Sequence, residues 1–350
     1  MNKLIIGVAA LLLVAACSQD APEPAVEESR ALISGIDLDG MDTSVKPGDD
    51  FFAYVNGTWV EETEMPADKA RYGLFNILRD ESQEAVKAII ERSATGDFAK
   101  GTDEQKVGDL YNSFLDWDTR DARGLKPLQP ELDRINAISS RDELALYFAS
   151  ALQRGLDAPL GAQQLTDFLD PTQYAVLLSQ SGLGLPDREY YFKDDENSED
   201  IRAKYVAHIE KMFDVAGLDE GAAAAQNIMA LETRLAAENM TKEKARDYAG
   251  NYKKFALTEL PEIMPNFNWD GYLAELRIQD LPEIVVYTLD YLKALDGIIV
   301  DTDLDTWKTY LTWSALNNAA GRLTRAIDQQ NFEFYGKVLS GTEEQRPDWR

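Results

Sequence analysis

Beyond residue 35, apolar side chains recur every three or four positions along most of the chain, the period of a helix with one apolar face. Residues 80–92 place Ala85, Ile89 and Ile90 on one stripe, with Asp80, Glu81 and Glu84 in the first turn, where the helix dipole favours acids. Residues 104–115 carry Val107, Leu110, Tyr111 and Phe114 at the same spacing, and 141–152 carry Leu144, Tyr147, Phe148 and Leu152. The pattern predicts further helices over 199–216, 220–239, 270–276, 288–295 and 304–336, the last with a break near Gly321. Strand character is confined to short pieces. Residues 163–168 and 174–180 flank Asp170-Pro171 as a small hairpin, and the β-branched run 283–287 reads as one further strand. The fold class expected is mainly α, a multi-helix lobe with a small β-hairpin and a short extra strand.

The first residues follow a different pattern. Lys3 precedes an uncharged apolar run from Leu4 to Val14, too short to span a bilayer as a mature helix, and the run ends in Leu13-Val14-Ala15-Ala16-Cys17. Small residues just before a cysteine resemble a bacterial lipobox, in which the thiol is lipidated. The expectation is a lipoprotein signal over 1–17 with lipid on Cys17. A flexible tether rich in Pro and Glu follows over 18–34, and a single domain over 35–350. Ser18 after the cysteine favours the outer membrane of a bacterial envelope, with the protein facing the periplasm.

Composition narrows the chemistry. The 350 residues hold 62 Asp+Glu against 35 Lys+Arg, a formal charge of −27, with one histidine (His208) and one cysteine. A chain this acidic is a poor partner for nucleic acid. One cysteine forms no internal disulfide, and one histidine cannot supply the His-rich ligand set of a zinc site. Several motifs are set aside on spacing. Asp301-x-Asp303-x-Asp305 has Thr306 and Thr312 where a calcium loop needs Gly and a bidentate Glu. Gly182-x-Gly184 lacks the third glycine of a pyrophosphate loop and reads as a turn. His208, at helical spacing from Tyr205 and Met212, reads as a packed histidine. The run Asp194, Asp195, Glu196, Glu199 and Asp200 reads as a solvated loop entering a helix.

One stretch is not bland. Val45-Lys46-Pro47-Gly48-Asp49-Asp50-Phe51-Phe52-Ala53-Tyr54-Val55-Asn56-Gly57-Thr58-Trp59 continues through Met65-Pro66 into Arg71-Tyr72-Gly73-Leu74-Phe75-Asn76-Ile77-Leu78-Arg79. It resembles the opening of the neprilysin and endothelin-converting-enzyme family of zinc metallopeptidases. Further blocks resemble that family in the same order: 106–111, Gly182 to Tyr191, Ala230 to Ala236, and Phe334 to Gly341 followed by Arg346 to Arg350. Gly48 and Val55 stand where animal members carry cysteines.

The resemblance covers the family's N-terminal region only. It implies a zinc metalloendopeptidase whose H-E-x-x-H motif lies in a C-terminal catalytic domain missing from this chain. The chain then reads as truncated, inactive alone and without bound zinc. It also implies substrate-binding roles for Arg71, Phe75 and Arg79, which match the family's Arg-x-x-x-Phe-x-x-x-Arg element. The arginines would take the C-terminal carboxylate of a peptide and the phenylalanine would supply apolar wall. A guanidinium fork suits a carboxylate, and spacings of four and eight would keep all three on one helical face. The alternative for these arginines is pairing with nearby acids. The alternative for the whole chain is a non-catalytic, envelope-anchored peptide-binding or scaffold lipoprotein.

Overall fold

The computed structural model describes residues 35–350. The signal, Cys17 and the tether lie outside the described residues. The chain divides into two compact units, Met1–Glu64 and Met65–Arg350. The described part of the first is built on helix α1, Phe51–Glu62, whose N-terminus is capped by Asp50 accepting from Ala53 N at 2.9 Å. The preceding loop is tied to it by Asp42 N donating to Tyr54 O (3.1 Å), Trp59 N to Gly40 O (3.1 Å) and Thr58 Oγ1 to Met41 O (2.9 Å).

The second unit is mainly helical. Helices α2 (Leu74–Thr95) and α3 (Asp103–Leu115) form a pair, followed by α4 (Trp117–Arg123), α5 (Gln129–Ala137) and α6 (Arg141–Gln153). Strands β1 (Leu160–Thr166) and β2 (Tyr174–Gln180) pair antiparallel as the expected hairpin, with Gln163 opposite Leu177. Then come α7 (Glu189–Phe192), α8 (Glu196–Ala216), α9 (Gly221–Glu238), α10 (Lys242–Ala245), α11 (Tyr248–Asn251), strand β3 (Lys253–Ala256), α12 (Leu260–Ile263) and α13 (Trp269–Leu276). Strand β4 (Glu283–Val286) precedes α14 (Leu289–Asp301), α15 (Leu304–Ala319), α16 (Arg325–Asn331) and a π-helix over Phe332–Leu339. The expected break near Gly321 is a 3₁₀ turn, Ala320–Arg322.

The extra strand β4 joins the hairpin in a sheet ordered β1-β2-β4-β3, parallel to β2 and antiparallel to β3. Strand β3 has no counterpart in the sequence reading, because Lys253-Lys254 hides it. Lys254 Nζ bridges Asp167 and Glu283 at 2.7 Å each, which compensates a lysine in a strand. Alternation then divides the sheet: Leu178, Ile284 and Val286 face the main core, while Leu177 and Val285 meet Tyr252 on the other side.

The core is centred on α8, α9 and α15. Tyr205, Ile209, Met212, Ile228, Leu235, Trp307 and Trp313 are almost wholly removed from water. The α2–α3 pair differs. Its axes approach closely because Gly108 has no Cβ, which would lie 2.3 Å from Ser93 O. Its apolar stripe, however, is not buried: Leu78, Val86, Ile89 and Leu110 are all more than 45% exposed.

The acidic runs set aside above turn out to serve as helix caps. Asp303 opens α15 by accepting from Thr306 N (2.8 Å), and Asp195 opens α8 by accepting from Ser198 N (3.0 Å). His208 is a packed histidine, as expected. Its ring stacks on Phe334 at 4.9 Å and 13°, and Gln330 Nε2 meets its Nδ1 at 3.2 Å. Burial pushes its pKa down to about 3. The unfolded chain therefore binds more protons than the fold below about pH 6.5, and the stability associated with neutral His208 is lost as pH falls. Between pH 7 and pH 5 the stability of His208→Phe, relative to wild type, is expected to improve by about 2 kcal/mol. Urea unfolding at the two pH values measures this, and a pH-independent difference would contradict it.

Candidate functional site

The segment before α2 turns where Gly73 adopts extended backbone (φ 174°), and the helix starts only at Leu74. Arg71 is therefore not on α2. The expectation of three side chains on one helical face fails there, while Phe75 and Arg79, four residues apart, share a face. The turn nevertheless carries Arg71 to the same cleft as Arg79, a cavity of about 720 Å³. Phe75 lies outside its lining and is 84% exposed.

The C-terminal segment closes the cleft from another side. Glu343 N and Glu344 N both donate to Ala67 O at 3.1 Å. Arg350 forks between Asp68 (2.9 Å) and Asp80 (3.4 Å), and Lys69 Nζ meets Asp80 at 2.9 Å. The Lys69 hydrogen bond, more than the nearby charges, holds the Asp80 carboxyl below its usual range. These pairs occupy the local acids. Among the described residues neither Arg71 nor Arg79 forms an ion pair within 4.0 Å, although the charge of Arg79 adds to those that lower Asp80.

The aromatic part of the lining is Trp117, Phe114 and Phe332. Trp117 is held by its Nε1 donating to Asp348 at 2.7 Å and by the guanidinium of Arg120, 3.6 Å over its ring. Arg325 lies 4.3 Å from the same ring. The π-helix adds wall through Phe332 and Gly336, and Ser340 just after it does the same. A Cβ on Gly336 would lie 2.2 Å from the Phe332 ring, so only glycine lets that ring fold down there. Guanidinium groups can pair with a carboxylate, and an aromatic wall beside them can take up apolar groups. Sequence reasoning found Arg71 and Arg79 through the family resemblance. It missed Trp117, Phe332 and Ser340 as cleft residues, because chain folding alone brings 117 together with 332 and 340, more than 200 residues further on.

A profile of peptidase family M13 matches residues 47–350. The chain belongs to peptidase family M13. Among solved relatives of this M13 chain, zinc metalloprotease Zmp1 of Mycobacterium tuberculosis, in complex with inhibitor, shares 35% identity with a TM-score of 0.85. That match covers 91% of this chain and 49% of Zmp1. The open state of Zmp1 superposes at 0.74. Human endothelin-converting enzyme 1 is 26% identical over 345 residues, covering 94% of this chain and 44% of the enzyme. Mouse membrane metallo-endopeptidase-like 1 is 27% identical over 341 residues, covering 89% and 44%. The chain spans less than half the length of these relatives, and it corresponds to the N-terminal region of the M13 family.

Zinc is implied by those relatives, but the described residues do not fit it. No group of three or more His, Cys, Asp or Glu among them is arranged to hold a metal ion. The one imidazole is buried between aromatic rings. Among the described residues, no helix is long and apolar enough to cross a membrane.

Proposed function

We propose that residues 65–350 form the substrate-enclosing lobe of a zinc-dependent metalloendopeptidase, and that Arg71 and Arg79 hold the C-terminal carboxylate of a peptide in the cleft. The observation that carries this reading is the pair of arginines lining one cavity while Asp68 and Asp80 are taken by Lys69 and Arg350. Trp117 and Phe332 offer apolar wall to the peptide's last side chains. Phe75, exposed outside the lining, would meet a part of the substrate that projects beyond it.

The α2–α3 pair supports the same reading. An apolar stripe exposed on both helices marks a surface that another part of a working enzyme covers. Cys17, if acylated, would tether this lobe to a membrane of the bacterial envelope, facing the periplasm.

The chain of 350 residues is expected to hold less than about one zinc per ten chains after incubation with the metal and gel filtration, since its described residues offer no ligand set. It is expected not to cleave a fluorogenic short peptide. Metal analysis and a fluorescence assay check this, and zinc-dependent cleavage by the purified chain would overturn it.

A further inference from the structure

The core holds two buried glutamates with opposite surroundings. Glu131 is matched by Arg154, whose Nε and Nη2 reach its two oxygens at 2.8 Å, and by Arg134 at 3.0 Å. Glu232, 1% exposed, has no cation among its partners. It accepts from Tyr191 OH at 2.7 Å and from Tyr205 OH at 3.0 Å to each oxygen, and the Gly184 backbone packs against it, so close that a Cβ there would lie 3.1 Å from Oε1.

The family-like blocks meet at this carboxylate. Gly184 and Tyr191 come from the block before α8 and Glu232 from the block in α9. Tyr335, from the block in the π-helix, donates to Gly184 O at 3.1 Å. Gly184 thus lies between the two, packed against Glu232 and accepting from Tyr335 through its C=O.

The π-helix connects this cluster to the cleft. Phe334 and Tyr335 face inward, Phe334 stacking on His208 and lying 5.4 Å from the Tyr205 ring. Phe332, Gly336 and Ser340 line the cleft. Ser340 Oγ donates back to Tyr335 O at 2.7 Å, and Asn317 Nδ2 donates to Tyr335 OH at 3.0 Å. Helices of this kind are rare and concentrate at functional sites.

We propose that Glu232 is a positioning residue for the cleft: its protonation state sets, through Gly184 and Tyr335, where the π-helix holds the wall opposite Arg71 and Arg79. The inference rests on the carboxylate-binding reading only for what the wall acts upon. The ionised carboxylate accepts three bonds. A protonated one must donate, yet the nearby hydroxyls already give their protons to it and accept from Leu185 N and Trp313 Nε1. A hydroxyl therefore turns when the proton binds, and the Gly184 backbone packed against Tyr205 and Glu232 must adjust with it.

Burial places this titration at about 7, above the ordinary carboxylate value. The titratable groups facing Glu232 are Tyr191 and Tyr205, with Tyr310 and Tyr335 in the next shell of hydroxyls and Asp157 acting on those two. The tyrosines are all raised above their usual range by burial, and His208, beside Tyr335, stays neutral until about pH 3. None of the four tyrosines nor the histidine changes charge between pH 5.5 and 8.5.

The test uses the full chain as Cys17→Ser with an environment-sensitive fluorophore on Glu344→Cys, an exposed position lining the cleft. Without any peptide, the emission is expected to shift with a midpoint near pH 7, and Glu232→Gln is expected to abolish the shift. A wild-type profile flat from pH 5.5 to 8.5, or the same shift in Glu232→Gln, overturns the proposal. Tyr335→Phe keeps the carboxylate but removes its link to the wall, so the shift is expected to disappear there too, and an unchanged shift also overturns the proposal. This variant decides the matter if Glu232→Gln fails to fold. Affinity for a short peptide with a free C-terminus, measured on the same chains, is expected to change about threefold or more across the transition in wild type and not in Glu232→Gln. Failure of the peptide to bind with the fluorophore shift intact would count against the cleft's ligand and leave the positioning of the wall supported.

Discussion

Gly184→Ala is expected to lower the unfolding free energy by about 3 kcal/mol or more. A Cβ there would lie 1.8 Å from Tyr205 Oη, 2.8 Å from its Cζ and 3.1 Å from Glu232 Oε1. Tyr205 cannot step aside. It is fully buried, accepts from Trp313 Nε1 at 3.0 Å and donates to Glu232. Either the Gly182–Gly184 turn retreats and Tyr335 loses its carbonyl partner, or Tyr205 leaves a carboxylate short of a donor in the core. Gly217→Ala is the control. Gly217 sits at φ 69° at the end of α8 with open space around it, so alanine meets only the left-handed backbone penalty of about 1 kcal/mol. Urea unfolding of both variants measures the difference. Equal, mild losses would show that the turn is not held by these contacts.

The second large effect concerns the cleft. Hydrogen bonds to a charged group contribute about 1.5–3 kcal/mol, so Arg71→Ala or Arg79→Ala is expected to weaken binding of a peptide carboxylate by about 10- to 100-fold. Arg71 and Arg79 are solvent-exposed, which places the effect toward the lower figure and makes it sensitive to salt. The paired cations offer the comparison. Lys69→Ala removes one of the two partners of Asp80, Arg350 being the other, and leaves Arg71 and Arg79 in place, so its effect on binding is expected to be smaller. Fluorescence anisotropy with a labelled short peptide measures all three.

The long helices were readable because their apolar period is the core itself. Tyr205, Ile209, Met212 and Phe213 give α8 away, and Ile228, Leu231 and Leu235 do the same for α9. Caps sharpen their starts, since Asp195 and Asp303 look like acidic loops until their acceptor role is seen. The hairpin was readable from its turn, and β4 from its β-branched run. What stayed hidden lacks a local signal. Helices of four residues such as α10 and α11 are too short to show a period, and β3 begins with two lysines whose partner acids lie elsewhere in the chain. The stripe on α2 was visible, but its exposure was not, because burial depends on what packs against it.

The site divides along the same line. Arg71 and Arg79 came from a motif, and the structure altered their arrangement by starting α2 after Gly73. Walls from residues 117, 332 and 340 are set by tertiary packing alone. The Gly182-x-Gly184 pattern read as a turn, and it is one. Its reason is the approach of two tyrosine hydroxyls, Tyr310 toward Gly182 and Tyr205 toward Gly184.

The claim that this M13 lobe holds a peptide by its C-terminal carboxylate is tested most directly by titrating the full chain with one short peptide in two forms, free acid and C-terminal amide. The acid is expected to bind about tenfold or more tightly. In the chain carrying both Arg71→Ala and Arg79→Ala that preference should disappear. Equal affinity of acid and amide for the wild-type chain, or a preference that survives in the double variant, would contradict it.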